Sequence, residues 1–186
     1  MTELIPAHLL EDDGFSQWEF EIKESFSMEA LYKRVHEFLI VESWVDLHAG
    51  GDDYEINYEE YEQPDGSKNH IIWWRAAKTP EIQGHEYIRL YLKLDFFTKF
   101  LKEKEVMLQG KKVKLDNGEL KVQCAIYLDM GNDRDEKINW ETHPILKHFK
   151  NYFWNRLNRK VAGAAKGEIT EFSNNLRNLF AVFTGV

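Results

Sequence analysis

The sequence predicts an α+β fold in which a curved antiparallel sheet of about six to seven strands carries helices on it. Apolar and polar residues alternate repeatedly between Trp18 and Met130, as in strands with one buried face. Apolar residues three or four apart return between Pro144 and Phe183, which is the spacing of an amphipathic helix. Recognisable turns separate the alternating segments, so neighbouring strands are expected to run antiparallel.

Length and composition favour a single domain over residues 1–186. A chain of 186 residues, 43% of them hydrophobic, can bury a sizeable core without a disulfide or a metal. We divide it into an N-terminal arm, 1–16, a sheet region, 17–140, with an inserted helix over 27–47, and C-terminal helices over 144–183. The single cysteine, Cys124, lies in an apolar strand and is expected to be a buried core thiol.

Three further features favour a cytoplasmic protein that does not bind nucleic acid. One cysteine fits a reducing compartment. The chain has no run of about eighteen apolar residues, and its first residues lack the basic and apolar regions of a signal peptide. The net charge of −8 argues against general nucleic-acid binding, because that binding depends on neutralising phosphates.

The first elements follow from local patterns. The arm is expected to hold at most a short helix around residues 8–11. Alternation over Trp18–Ile22 predicts the first strand. Ser27 is expected to cap the helix that follows, in which helical spacing continues to about Leu47 before a pair of glycines ends it.

The middle of the chain is predicted to be strands joined by turns. Alternation over Tyr54–Tyr58 slips in phase at Glu60–Tyr61, which indicates a bulge. A turn over Pro64–Ser67 leads to a strand over His70–Lys78. That strand contains four consecutive apolar residues, Ile71–Trp74, so both of its faces are expected to be covered.

The next strands are predicted with one hairpin. Ile88–Phe96 is a long strand, whereas Phe97–Leu108 is ambiguous, and we favour a loop or short helix followed by a strand near 106–108. Asp116–Gly118 lies between two alternating segments and contains Asn-Gly. This is the strongest hairpin signal in the chain, because both residues tolerate positive φ.

Two helices are predicted at the C-terminus. One helix of about forty residues would be about 60 Å long, too long for a domain of this size. Gly163 and Gly167 are weak points within it. We therefore place helices near 144–162 and 168–183, with Pro144 at the first helical position and the last helix packed on the sheet.

The first of these two helices is strongly basic. Residues 144–167 contain six Lys or Arg and no acid, whereas the rest of the chain has 18 basic residues against 32 acidic ones. One interpretation is a solvated face paired with acids of the sheet. The other is a docking surface for an anionic ligand, an acidic protein partner or an anionic membrane surface. The residues concerned are Lys147, Lys150, Arg156, Arg159 and Lys160.

No motif indicates a metal site, a cofactor or a catalytic centre. The histidines lack zinc-ligand spacing, and no phosphate-binding loop occurs. His48 with Asp52 and Asp53 could line a pocket mouth or hold a divalent ion, but turns rich in Gly and Asp have this composition for conformational reasons. We assign no cofactor, and an enzyme of unknown reaction is the weakest functional hypothesis.

A ligand cavity is suggested by Arg75 and by the aromatic residues, which make up 14% of the chain. A guanidinium that ends an apolar segment is either paired to a carboxylate of the sheet or placed to hold an anionic ligand group. The aromatic residues are core by default, but those on a second face of the sheet could line a cavity. The predicted ligand-binding residues are Trp73, Arg75, Tyr87, Tyr91 and Tyr127 on the sheet and Phe172 and Leu176 on the last helix.

The order of these elements resembles the helix-grip fold of the START and polyketide-cyclase-like superfamily. The resemblance covers about 18–183 and rests on no diagnostic motif, so no family residue is carried over. It implies a cavity between the sheet and the last helix that takes a hydrophobic or amphipathic, lipid-like small molecule. That binding function is our leading hypothesis, and an interaction module that uses the basic helix, residues 144–167, is the second.

Overall fold

The computed structural model describes residues 5–10, 15–48, 50–80, 88–108, 111–129 and 146–183, without the side chains of 7–8, 108, 111 and 146–161. Within this part, seven strands form one sheet accompanied by three helices, so the α+β class and the strand number are confirmed. In chain order the elements are α1 (Ala7–Leu10), β1 (Ser16–Ile22), β2 (Ser25–Phe26), α2 (Met28–Val41), β3 (Val45–Asp46), β4 (Glu55–Glu62), β5 (Lys68–Lys78), β6 (Arg89–Leu108), β7 (Lys111–Asp129) and α3 (Leu146–Val182).

The sheet is antiparallel at every described strand pair, as predicted. Its order is β1-β7-β6-β5-β3, with β2 paired to β7 and β4 paired to β5. The last strand therefore lies between the first strand and β6. This brings residues from β1, β6 and β7 side by side on each face of the sheet.

One face of the sheet, which we call the core face, is covered by α2 and by the second half of α3. Helix α2 buries Leu31, Val35 and Leu39 in the same cluster as residues of β1, β5, β6 and β7. From α3, the cluster contains Ala165, Ile169, Phe172, Leu176 and Phe180, the helical spacing predicted from the sequence. The prediction that the end of the C-terminal helix packs on the sheet is confirmed.

Helix α2 begins where the sequence predicts but ends early. The Ser27 side chain accepts a hydrogen bond from the Ala30 N–H at 3.2 Å, as a helix cap does. The expected extent over 27–47 is wrong, because α2 ends at Val41 and Ser43 has a φ of 61°. The chain turns there, and Val45–Asp46 joins the edge of β5 as a short strand.

The hairpin predicted at Asp116–Gly118 is wrong, because β7 runs without interruption from Lys111 to Asp129. These turn-forming residues instead make tertiary contacts. The Asp116 carboxylate accepts the Met28 N–H at 2.9 Å, at the start of α2, and the Asn117 side chain accepts the Ser25 hydroxyl at 3.2 Å. Both contacts join β7 to the segment that leads into α2.

Gly118 serves a close approach between strands rather than a turn. A Cβ at this position would lie 2.7 Å from the backbone oxygen of Lys99 and 2.9 Å from a side-chain carbon of Leu101. Strand β6 bulges opposite it, with Phe100 at a φ of 56°. The ambiguous stretch after Phe96 is accordingly a strand continued through a bulge, not a loop or short helix.

The two-helix prediction for the C-terminus is wrong, since α3 is one helix of 37 residues, about 55 Å long. Gly163 and Gly167 lie within it, and a Cβ at either would have no neighbour within 4 Å. A helical glycine costs about 1 kcal/mol relative to alanine, which weakens a helix without ending it. No proline stands between 146 and 182 to break the helix.

Smaller predictions have mixed outcomes. The turn over Pro64–Ser67 is present, with Gly66 at a φ of 75°. The bulge expected at Glu60–Tyr61 lies instead between Glu55 and Asn57. A short helix in the arm is found at Ala7–Leu10.

Candidate binding groove on the outer face of the sheet

The second face of the sheet, which we call the outer face, carries the side chains that alternate with the core residues. The strand register arranges them in rows across the sheet. Three successive rows are Glu21, Lys121 and Phe97; Glu19, Gln123, Asp95 and Trp73; and Gln17, Ala125, Lys93 and Arg75. A fourth row is Tyr127, Tyr91, Ala77 and Val45. The second and third rows are mainly polar, and the fourth row contains the two tyrosines.

Ala125 leaves a depression in the centre of this face. It is flanked across the strands by Gln17 and Lys93, and along β7 by Gln123 and Tyr127. The resulting groove has a volume of about 400 Å³, within the range of small-molecule pockets. We call it the outer groove; its lining is Gln17, Trp18, Glu19, Lys93, Asp95, Gln123, Cys124, Ala125 and Tyr127.

Asp95, which lines the groove, belongs to a buried ion pair with Arg75. The Arg75 Nη1 donates to the Asp95 Oδ1 at 2.5 Å and to the Trp74 carbonyl oxygen at 2.9 Å. The two side chains are 1% and 8% exposed. The guanidinium also lies 5.8 Å from the centre of the Trp73 ring, where a cation–π attraction operates. Of the two alternatives for Arg75, the structure supports the carboxylate pair.

The other charges of the outer groove are also matched. Glu19 pairs with Lys121 at 2.9 Å and accepts a hydrogen bond from Gln123 at 2.6 Å. The bond from Lys121, followed by that from Gln123, lowers the pKa of the Glu19 carboxyl. Lys93 lies 3.9 Å from the second oxygen of Asp95 and remains 30% exposed. The charged residues that line the groove are therefore Glu19, Asp95 and Lys93, and each carboxylate is paired with a cation, Lys121 at 2.9 Å for Glu19 and Arg75 at 2.5 Å for Asp95.

A second depression adjoins the outer groove at Gln123. It has a volume of about 320 Å³, with Phe97 on its floor and Lys23, Lys99 and Lys121 at its rim. Glu21 and Glu119 also line it, and Lys23 pairs with Glu21 at 3.4 Å.

The predicted ligand-binding residues fall on both sides of the sheet. Trp73, Arg75, Tyr91 and Tyr127 share the outer face, whereas Phe172 and Leu176 lie in the core on the opposite side. Tyr87 is outside the described residues. One cavity cannot be lined by both groups, because the sheet separates them.

The described contact between α3 and the core face is filled by aromatic side chains. Phe180 lies 5.9 Å from Trp18 and 6.5 Å from Phe96 between ring centres. Phe172 lies 5.5 Å from Phe38 and 5.0 Å from Trp44. These distances are those of direct ring packing, so Phe172 and Leu176 act as core residues in the described part.

The predicted interaction residues lie on the first half of α3. Lys147, Lys150, Arg156, Arg159 and Lys160 belong to the helix backbone, but their side chains are outside the described part. Docking through this basic segment stays a prediction.

One group of side chains has the order of a catalytic triad. His70 Nδ1 lies 2.8 Å from the Thr98 hydroxyl, and His70 Nε2 lies 3.2 Å from Glu60. The hydroxyl also accepts the His70 backbone N–H at 2.7 Å, and Thr98 is only 2% exposed. A substrate cannot reach a buried hydroxyl held in this way, so the group joins β4, β5 and β6 rather than forming a nucleophile.

The remaining candidates for chemistry are structural. Cys124 is buried, and this burial raises the pKa of its thiol, so it is not an activated nucleophile. The loop after β3 is folded around Asp46, whose carboxylate accepts the His48 N–H at 2.7 Å. In the described ranges, no group of three or more His, Cys, Asp or Glu is placed to hold a metal ion.

No family model, curated protein or solved structure matches this chain. Among the described helices, none is both long and apolar enough to cross a membrane.

Sequence reasoning missed the residues that shape the outer groove, namely Gln17, Lys93, Gln123 and Ala125. Each stands at a polar or small position of an alternating strand, which is ordinarily a solvated position. The signal was a lone alanine at an outward position of the central strand β7. It is informative only once the neighbouring strands are known.

Proposed function

We propose that this protein binds an amphipathic small molecule with an anionic group, and that the outer groove holds that group. The observation that carries the proposal is the depression at Ala125, which has Lys93 on one side and Tyr127 at one end. Lys93 supplies a positive charge, and Gln17 and Gln123 supply amide donors. Tyr127, which is buried in contact with Ile5, lies beside them.

The pairing of the two carboxylates favours an anionic ligand over a cationic one. Glu19 is paired with Lys121 and Asp95 with Arg75, so neither carboxylate needs a cationic ligand. Lys93 lies 3.9 Å from Asp95 and is 30% exposed, so its ammonium group can also donate to an anionic ligand group in the groove. A carboxylate or sulfonate group suits this position.

The location differs from the one expected from the sequence. A cavity under the C-terminal helix has no support from the described side chains of 162–183, because Ile169, Phe172, Leu176 and Phe180 are core residues. The class of ligand expected from the sequence is kept, and its site is moved to the opposite face of the sheet.

Calorimetric titration with decanoate, a ten-carbon carboxylate, tests the proposal. We expect saturable binding that Lys93→Gln weakens by about 10-fold or more, since a hydrogen bond to a charged group contributes about 1.5–3 kcal/mol. Lys104→Gln is the matched control, because Lys104 lies on the same strand, is exposed and does not line the groove. The Lys104→Gln variant should bind decanoate with the affinity of the unaltered protein.

Decyltrimethylammonium, with a similar tail and a cationic head, should bind more weakly than decanoate. Binding of both compounds with equal affinity would argue against a site for anions. Equal loss in the Lys93 and Lys104 variants would argue against the outer groove as the location.

A further inference from the structure

The described segment of the N-terminal arm, Ile5–Leu10, lies on the aromatic row of the outer face. Ile5 is 2% exposed and packs in a small cluster with Ala77, Tyr91 and Tyr127. Leu9, Leu10, Leu47 and Ala125 border this cluster. We call the surface under Ile5–Leu10 the arm seat, formed by Ala77, Tyr91, Tyr127 and Leu47.

The arm seat continues directly into the outer groove. Tyr127 and Ala125 contact the arm cluster and also line the groove. Lys93 and Tyr91 are two residues apart on β6, so their side chains are adjacent on one face, about 7 Å apart along the strand. A molecule with its anionic group at Lys93 would direct its apolar part toward Tyr91 and Tyr127, where Ile5 now lies.

The described segment of the arm packs on the sheet through a cluster that is distinct from the main core. Its cluster shares no residue with the main core, which contains α2, α3 and the core face. Helix α1 has only four residues, and a helix this short is not stable without packing. Displacing the arm therefore uncovers the arm seat and leaves the main core intact.

We propose that the arm seat is a second subsite, which takes the acyl or other apolar part of the ligand and which the arm occupies when no ligand is bound. This inference rests on the proposed function and adds the position of the apolar part and its competition with the arm. Arm and ligand then exclude each other at Tyr91 and Tyr127. The apparent affinity for a ligand with a tail is reduced by the fraction of molecules in which the arm is seated.

The test compares decanoate with propionate, which has the same carboxylate and almost no tail. Ile5→Asp should release the arm and raise the affinity for decanoate by about 5-fold or more. The affinity for propionate should be unchanged, because its binding needs only the outer groove. Ile40→Asp is the matched control, since Ile40 is an apolar residue that is 46% exposed on α2 and distant in sequence from the arm.

A second variant, Leu9→Ser, is included in case Ile5→Asp does not fold. It should also raise the affinity for decanoate. Equal decanoate affinities in unaltered protein, Ile5→Asp and Leu9→Ser would overturn the subsite and leave the proposed function standing. Weaker decanoate binding in the arm variants would also overturn it, because the arm would then be part of the site. No saturable decanoate binding by any variant would reject the proposed function itself, and the subsite with it.

Discussion

At the scale of single residues, the outer face contains a buried charged pair. The side chains of Arg75 and Asp95 are 1% and 8% exposed. Removing Arg75 leaves the buried Asp95 carboxylate without its close partner and with only Lys93, 3.9 Å away. We expect Arg75→Met to lower the free energy of unfolding by about 3–5 kcal/mol, measured by urea denaturation.

The matched variant for this prediction is Arg75→Met combined with Asp95→Leu. Replacing both charges removes the desolvation cost together with the attraction, so the double variant should be more stable than Arg75→Met alone. The single variant Asp95→Leu completes the comparison. If the loss in unfolding free energy of the double variant equals the sum of the losses in the two single variants, the pair is not coupled.

Tyr54 gives a prediction for the pH dependence of stability. Its hydroxyl donates to the Trp44 carbonyl oxygen at 2.9 Å, and burial, followed by the charges of Asp52 and Asp46, raises the pKa of Tyr54 to about 12. Because the folded-state pKa lies above the ordinary value of about 10, the neutral phenol favours the fold. Stability from this group is complete below pH 10 and is lost as the pH rises from 10 to 12.

Tyr54→Phe tests this assignment. It should cost about 1 kcal/mol at pH 7 through the lost hydrogen bond and should reduce the fall in stability between pH 10 and 12. Tyr32 also has a raised pKa, owing first to burial and then to its bond to Glu55, so part of the alkaline loss should persist. An unchanged alkaline slope in Tyr54→Phe would contradict the assignment.

At the scale of elements, Gly118 and Gly163 are expected to respond in opposite ways to substitution by alanine. A Cβ on Gly118 would overlap the Lys99 backbone oxygen at 2.7 Å, whereas a Cβ on Gly163 would meet nothing within 4 Å. Gly118→Ala should therefore destabilise the protein by about 1–3 kcal/mol through overpacking. Gly163→Ala should stabilise it by about 0.5–1 kcal/mol, since α3 continues through this position.

Thermal melting of both variants checks this contrast. A stable Gly118→Ala protein would mean that the strands can separate at the β6 bulge at little cost. A destabilised Gly163→Ala protein would mean that α3 is interrupted there, as the sequence had suggested.

The wrong predictions for the elements share one physical cause, which is that local signals were overridden by contacts distant in sequence. Asn117 and Gly118 have the best hairpin composition in the chain, yet they serve a close strand approach and a contact with the segment before α2. The glycines of α3 lower helix propensity but meet no breaker. Strands with one buried face were predicted well, because alternation in β1 and β6 directly records the two faces of the sheet.

At the scale of the whole molecule, the sequence could predict the fold class but not which face carries the groove. The sequence predicted that both faces of β5 are covered at Ile71–Trp74. Ile72 and Trp74 lie in the main core, whereas Ile71 and Trp73, on the outer face, are half-buried and belong to neither cluster. Only the register shows that Ala125, Lys93 and Gln17 are neighbours, since they are far apart in the chain. A residue pattern along one strand does not contain that information.

The measurement that tests the central claim most directly is a side-chain NMR titration of the protein with decanoate. The outer groove predicts saturable shifts of the Ala125 methyl and of the Gln17 and Gln123 side-chain amides, with the Ile169 and Leu176 methyls unmoved. Shifts that centre on the Ile169 and Leu176 methyls, with the Ala125 methyl unmoved, would contradict the account and place the ligand under the C-terminal helix.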